Sequence, residues 1–199
     1  MLIEPRSPQA AAPGAVPDDV LMQAVAGGDA AAFRCLVERH QAAAFRLAWR
    51  LTGDRGDAED LVQDGFARLW RGAAGWQAGR SGVGAWLQRV ITNAAIDRSR
   101  RQRPATMAEP PDRADDSPRA DALLAAGDEA ARIGACVRAL PDRQRAAIVL
   151  TYWEGLANAE AAARMEMNIK AFESLLLRAR AALKQQLAAA GLAGEEAQP

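Results

Sequence analysis

The chain has 199 residues, its 25 Lys and Arg balanced by 25 Asp and Glu, and half of it is hydrophobic while only 5% is aromatic. That length allows one large domain or two small ones, and an Ala- and Leu-rich composition with little Val, Ile, Tyr or Thr favours helix over sheet. The roughly 18 consecutive apolar residues of a membrane-spanning helix are absent, so no such helix is expected.

The balanced charge hides an uneven distribution. Residues 33–103 carry +6 and 132–190 carry +4, whereas 1–32 carry −3, 104–131 carry −5 and 191–199 carry −2. Two basic segments flanking an acidic one point to a polyanionic partner.

Residues 1–19, without a basic start followed by an apolar run, read as a disordered tail rather than a secretory signal. From 29 to 53, Phe33, Leu36, Val37, His40, Ala44, Leu47, Ala48 and Leu51 recur at helical spacing, with Asp29 as N-cap and Gly53 as stop. His40 falls on the apolar stripe and reads as a satisfied core residue rather than a ligand.

The next segment, GDAEDLVQDGFARLW (56–70), is acidic at its start. Asp57 is the expected N-cap and Asp60 the capping-box partner, with Ala58, Leu61, Val62, Phe66 and Leu69 on the buried side. Asp60, Gln63 and Asp64 fall opposite, an exposed ridge that suits either helix solvation, a docking face or a metal. A metal or catalytic role would need His or further carboxylates converging on the ridge. Trp70 reads as core.

The stretch 71–86, with five glycines, Trp76, Trp86 and Arg80, reads as a loop. A helix resumes at Val83, presents Trp86, Leu87, Val90, Ile91, Ala94 and Ile96 on one side and Arg89, Asn93, Asp97, Arg98, Arg100 and Arg101 on others, and ends before Pro104. Residues 104–131, rich in proline and acid, form a linker with a helix starting near Asp121.

Beyond the linker, a short helix over 132–140 is followed by helices at 142–154, 158–165 and 169–187, broken at Pro141, Gly155 and Met167–Asn168. Two short helices across a tight turn, the second capped by Asn168, make a helix-turn-helix pattern. Cys35 and Cys136, in no CxxC or CxxH context, read as buried reduced thiols. There is no phosphate loop, no Ser/His/Asp set and no cofactor fingerprint, so neither catalytic residues nor a metal nor a cofactor is expected. The expected fold is all-α: two small helical domains, 20–103 and 132–188, joined by the flexible acidic linker, with a tail at 189–199.

Three passages carry a resemblance: AEDLVQDGFARLW, then GAWLQRVITNAAIDRSRR, then LPDRQRAAIVLTYWEGLANAEAAARM followed by SLLLRARAALK. In this order they resemble the extracytoplasmic-function (group IV) sigma factors of bacterial RNA polymerase, over about residues 20–188. The resemblance implies that the first module is region 2, docking on a coiled coil of the largest polymerase subunit through Asp60, Leu61, Gln63 and Asp64. It implies that the glycine-rich loop and following helix recognise and melt the minus-ten element through Trp76, Arg80, Trp86, Arg89, Asn93, Arg98, Arg100 and Arg101. Trp86 stands equally as a core residue.

The second module would be region 4, bound to the flap of the second polymerase subunit. Its last helix would read the minus-thirty-five element through Asn168, Lys170, Ala171, Glu173, Ser174, Leu177 and Arg178, with Arg143, Arg145 and Arg164 as further backbone contacts. Glu173 could accept from a cytosine amine or pair with Lys170. Partners implied are polymerase core, promoter DNA and an anti-sigma factor, in the cytoplasm; an autonomous helix-turn-helix regulator is the competing reading.

Overall fold

A computed structural model describes residues 16–79, 81–102 and 126–192, with the side chains of 102 and 126–128 left aside. The described residues are helical, without strands, and the elements follow the apolar periodicity closely. Helix α1 (Asp18–Ala26) precedes α2 (Ala30–Thr52), α3 (Arg55–Gly72), a short 3-10 turn (Ala73–Gly75) and α4 (Val83–Gln102). After the break come α5 (Ala126–Arg138), α6 (Asp142–Ile148) running on into a π-helical turn (Val149–Trp153), α7 (Asn158–Arg164) and α8 (Ile169–Ala189).

The ends of these helices have identifiable causes. Asp29 caps α2, its Oδ1 accepting from the N–H groups of Ala31 at 2.8 Å and Ala32 at 3.1 Å. Gly53 ends α2 in the left-handed region at φ 74°, donating its N–H to the Trp49 carbonyl. The cap of α3 is Asp54, not the expected Asp57: Asp54 Oδ1 accepts the Asp57 N–H at 2.8 Å. An Asp-x-x-Asp spacing lets either carboxylate serve, and Asp57 and Asp60 are both drawn away to Arg98. In α7, Glu160 Oε2 accepts the Ala157 N–H at 3.1 Å, and Asn168 caps α8 as expected, its Oδ1 accepting from Ala171 at 2.8 Å.

Four helices make the first bundle. Met22 from α1, Leu36 and Leu47 from α2, Leu69 from α3, and Val83, Leu87 and Ile91 from α4 are all under 2% exposed, each contributing about 1.5–3 kcal/mol by leaving water. Gly65 is buried where α3 meets α4, and an added Cβ there would make ordinary contact with Ile91 and Leu87 at 3.5 Å. In the second module Ile148, Val149, Leu150 and Phe172 fill the centre, closed by Leu176 and Ala179 of α8.

Several boundaries differ from expectation. Asp18 and Asp19, expected in the tail, begin α1, whose Leu21, Met22 and Val25 are buried in the bundle. The linker, expected to reach residue 131, gives way to α5 at Ala126, and the helix start near Asp121 lies outside the described residues. Cys35 is exposed rather than buried, while Cys136 is buried with its Sγ 3.6 Å from the Gln186 carbonyl. Trp70, expected in the core, is 38% exposed and meets Phe33 edge-on at 5.0 Å.

The two modules pack against each other along a polar seam. Glu154 accepts from Arg50 at 3.2 Å and from the Gln88 amide at 3.1 Å. Arg164 Nε donates to Gln88 Oε1 at 3.4 Å, and Arg145 donates to the Leu51 carbonyl at 2.6 Å. Among the described residues no helix is long and apolar enough to cross a membrane.

Candidate functional site

Three surfaces gather the candidate residues. The first is the outer side of α3. Its carboxylates divide by what they face. Asp57 accepts from Arg98 Nη2 at 2.5 Å, Asp60 lies 3.3 Å from Arg98 Nη1, and Glu59 takes the Arg55 Nε at 2.8 Å. Gln63 and Asp64, one turn further along, are exposed, and Asp64 makes no ion pair among the described residues. Leu61, expected to dock, is 4% exposed and sits in the core, because it shares the apolar stripe of Ala58, Phe66 and Leu69. This is a correction: Leu61 cannot reach a partner without unpacking α3.

Beside the ridge, α2 and α3 enclose an open apolar groove of about 930 Å³. Phe33, Val37 and Phe45 form one wall and Val62, Phe66 and Trp70 the other, with Gln63 at its edge. The sequence reading missed it, although its signal was present: Phe33, Val37 and Trp70 are large apolar residues at the margin of their stripes, too many for one buried face.

The second surface is the segment from Trp76 to Arg101. Arg80 lies outside the described residues. Trp76, expected to receive an unstacked base, is only half-exposed and donates its indole N–H to Asp19 Oδ1 at 2.9 Å. Trp86 packs partly buried against the bundle and also lines a polar pocket of about 260 Å³ with Trp76, Gln77, Ser81 and Arg89, so both readings of Trp86 have a physical basis. Arg89 is half-buried with Nη1 4.0 Å from Glu166, and Asn93 is half-buried on α4. Arg98, expected on phosphate, is engaged by Asp57 and Asp60 instead; these carboxylates, 41 and 38 residues earlier, come to it where α3 crosses α4. Arg100 pairs with Asp97 at 3.4 Å and is exposed, as is Arg101.

The third surface is the outer face of α8. Lys170, Glu173, Ser174, Leu177 and Arg178 are all exposed, Leu177 at 70%, and Ala171 is half-buried. Phe172, Leu175, Leu176 and Ala179 face the module. Glu166 takes the left-handed conformation at φ 51° in the turn before α8, the place where glycine is common. Asn168 spends its carboxamide oxygen on the cap, and Arg164 leans to Gln88 across the seam. Arg145, expected near DNA backbone, is held by Leu51, Leu140 and Asp142 at the seam. His40 is satisfied by Asp18 at 2.7 Å, and no group of three or more His, Cys, Asp or Glu among the described residues is arranged to hold a metal.

Comparison with known proteins places these surfaces in a family. Residues 36–105 match the model described as Sigma-70 region 2, and residues 130–183 that described as Sigma-70, region 4. The ECF RNA polymerase sigma factor SigK of Mycolicibacterium vanbaalenii is 32% identical over 166 residues, which span 78% of this chain and 82% of the relative. Among solved structures, CnrH in complex with the cytosolic domain of CnrY is 31% identical, with a TM-score of 0.63 over 86% of this chain and 97% of that one. The sigma factor RpoE of Bartonella quintana, in complex with the anti-sigma factor NepR, shares the fold at 23% identity and a TM-score of 0.58, over 78% and 96%.

Proposed function

The chain belongs to the ECF RNA polymerase sigma factors, and on that premise we propose how its surfaces divide the work of binding polymerase core and directing promoter-specific initiation. The observation that carries the reading is that α3 and α8 each keep a polar face clear of their own bundle while their apolar faces build the two cores.

The ridge of Gln63 and Asp64, with Asp60 at its margin, offers an amide and carboxylates to basic side chains on a helical partner, the largest-subunit coiled coil. The apolar groove beside it supplies the desolvated contact that charge alone lacks. On the DNA side, Arg100 and Arg101 are exposed cations for phosphates, and Asn93, with a donor and an acceptor, is the base-reading candidate on α4. On α8, Lys170 and Arg178 position the helix against phosphates, while Glu173 and Ser174 lie where base edges pass. The flap of the second subunit would meet the second module.

Polymerase supplies the chemistry; this chain supplies recognition, in the cytoplasm where polymerase and promoter meet. CnrH, solved with the cytosolic domain of CnrY, and RpoE, solved with the anti-sigma factor NepR, suggest a protein partner for this chain, the anti-sigma factor that membership implies.

The competing regulator reading predicts that the protein alone binds a specific duplex. Fluorescence anisotropy of labelled promoter fragments separates the two. Site-specific binding is expected only when core enzyme is added; tight specific binding by the protein alone would overturn the assignment.

A further inference from the structure

Asp19 is not among the residues the sequence marks for function, yet its carboxylate reaches the loop between α3 and α4. Its Oδ1 accepts the Trp76 indole N–H at 2.9 Å, and its Oδ2 accepts the Gly79 backbone N–H at 3.1 Å. The two contacts lie three residues apart, the second at Gly79, which turns the chain at φ 76°, where side-chain-bearing residues are strained. Asp19 is itself fixed, because it stands in the first turn of α1, whose Leu21, Met22 and Val25 are buried in the bundle. Next to Asp19, Asp18 ties α1 to α2 through Arg39 and His40.

Trp76 and Gly79 lie outside the helices and the 3-10 turn. The tie to Asp19 therefore helps to set where Trp76 stands in the polar pocket that Gln77, Ser81, Trp86 and Arg89 also line. An ionised carboxylate bridging two donors is among the stronger hydrogen-bonding arrangements, and holding a loop before its ligand arrives lowers the ordering cost of binding.

We propose that Asp19 is a positioning residue for promoter opening: it holds the α3–α4 loop in the geometry that captures the melted strand, without touching DNA itself. This rests on the reading of that loop as the minus-ten melting element. Asp19→Asn keeps the shape but sets an NH2 group against one of two donors, so at most one of the bonds survives. Trp76→Phe removes the other end of one bond and leaves Asp19 in place.

The test uses the holoenzyme assembled from full-length variant and core polymerase, on a duplex promoter carrying 2-aminopurine in the minus-ten element. Opening by Asp19→Asn is expected to slow about tenfold, the scale of one charge-assisted hydrogen bond, with core affinity unchanged. Hydrogen exchange at the Gly79 amide should rise in the same variant. Trp76→Phe should slow opening in the same direction, which keeps the proposal testable if Asp19→Asn fails to fold. An Arg89→Ala variant separates the proposal from its premise. If Arg89→Ala slows opening and Asp19→Asn does not, the positioning role is wrong and the loop reading stands. If neither slows it, both are wrong. A fall in core affinity matching the loss of opening would also overturn the role, since Asp19 would then act on docking rather than on the loop.

Discussion

On α3, carboxylates one turn apart have different fates. Asp57 and Asp60 share Arg98, and Glu59 holds Arg55, while Asp64 has no ion-pair partner among the described residues. A charge that stabilises nothing within the fold is free for a partner. Asp64→Lys is therefore expected to weaken core polymerase binding about tenfold, the scale of one charge-assisted contact. Folding stability should move by less than about 0.5 kcal/mol, as for surface changes generally. Titration of core enzyme and thermal unfolding read the two effects separately; unchanged core affinity would remove Asp64 from the docking face. Which residues point outward was legible from periodicity, and Gln63 and Asp64 stand where a 3.6-residue repeat puts them. The Arg98 pairing was not legible, since its partners lie 41 and 38 residues away and meet it only where α3 crosses α4. The same holds for Trp76 and Asp19, separated by 57 residues.

Helix ends were readable where one residue type has one conformational use. Gly53 takes φ 74° at the end of α2, and an added Cβ would lie 2.3 Å from Arg138 Cδ. Gly53→Ala combines left-handed backbone strain with displacement of that side chain, so a loss of about 1–2 kcal/mol is expected from the strain alone. Gly28, at φ 89° with nothing within 4 Å of the added Cβ, is the control carrying backbone strain alone. Chemical denaturation of both variants should show Gly53→Ala the more destabilised; equal losses would mean that Arg138 moves aside freely. Harder to read was α1, whose DDVLMQAVA is short and follows a proline-rich tail. Only three of its side chains are buried, and tertiary packing rather than local propensity holds a helix of that length. In the α7–α8 turn the missing glycine is replaced by Glu166 in the left-handed region, so the pattern was recognisable although the usual residue was absent.

At the scale of the whole molecule, two helical modules were legible from composition and periodicity, but their seam was not. Glu154 joins Arg50 of α2 and Gln88 of α4 across a gap of 104 and 66 residues, and such polar contacts leave no periodic trace. The seam bears on function. Gln88 and Arg164 bring α4 and α7 within 3.4 Å of each other, whereas elements named for positions minus ten and minus thirty-five lie about 85 Å apart along a duplex at 3.4 Å per base pair. If α4 and α8 read these elements, as proposed, a closed seam would hold α8, which packs on α7, too near α4 for both elements to be occupied together. On the proposed reading, core polymerase has to hold the modules apart, which is why recognition should belong to the holoenzyme and not to the free chain. The most direct test is run-off transcription on a promoter library with core enzyme alone, this protein alone and the two combined. Discrete start sites preceded by a shared pair of elements, in the combined reaction only, are the predicted result. No new start site in the combined reaction would contradict the account.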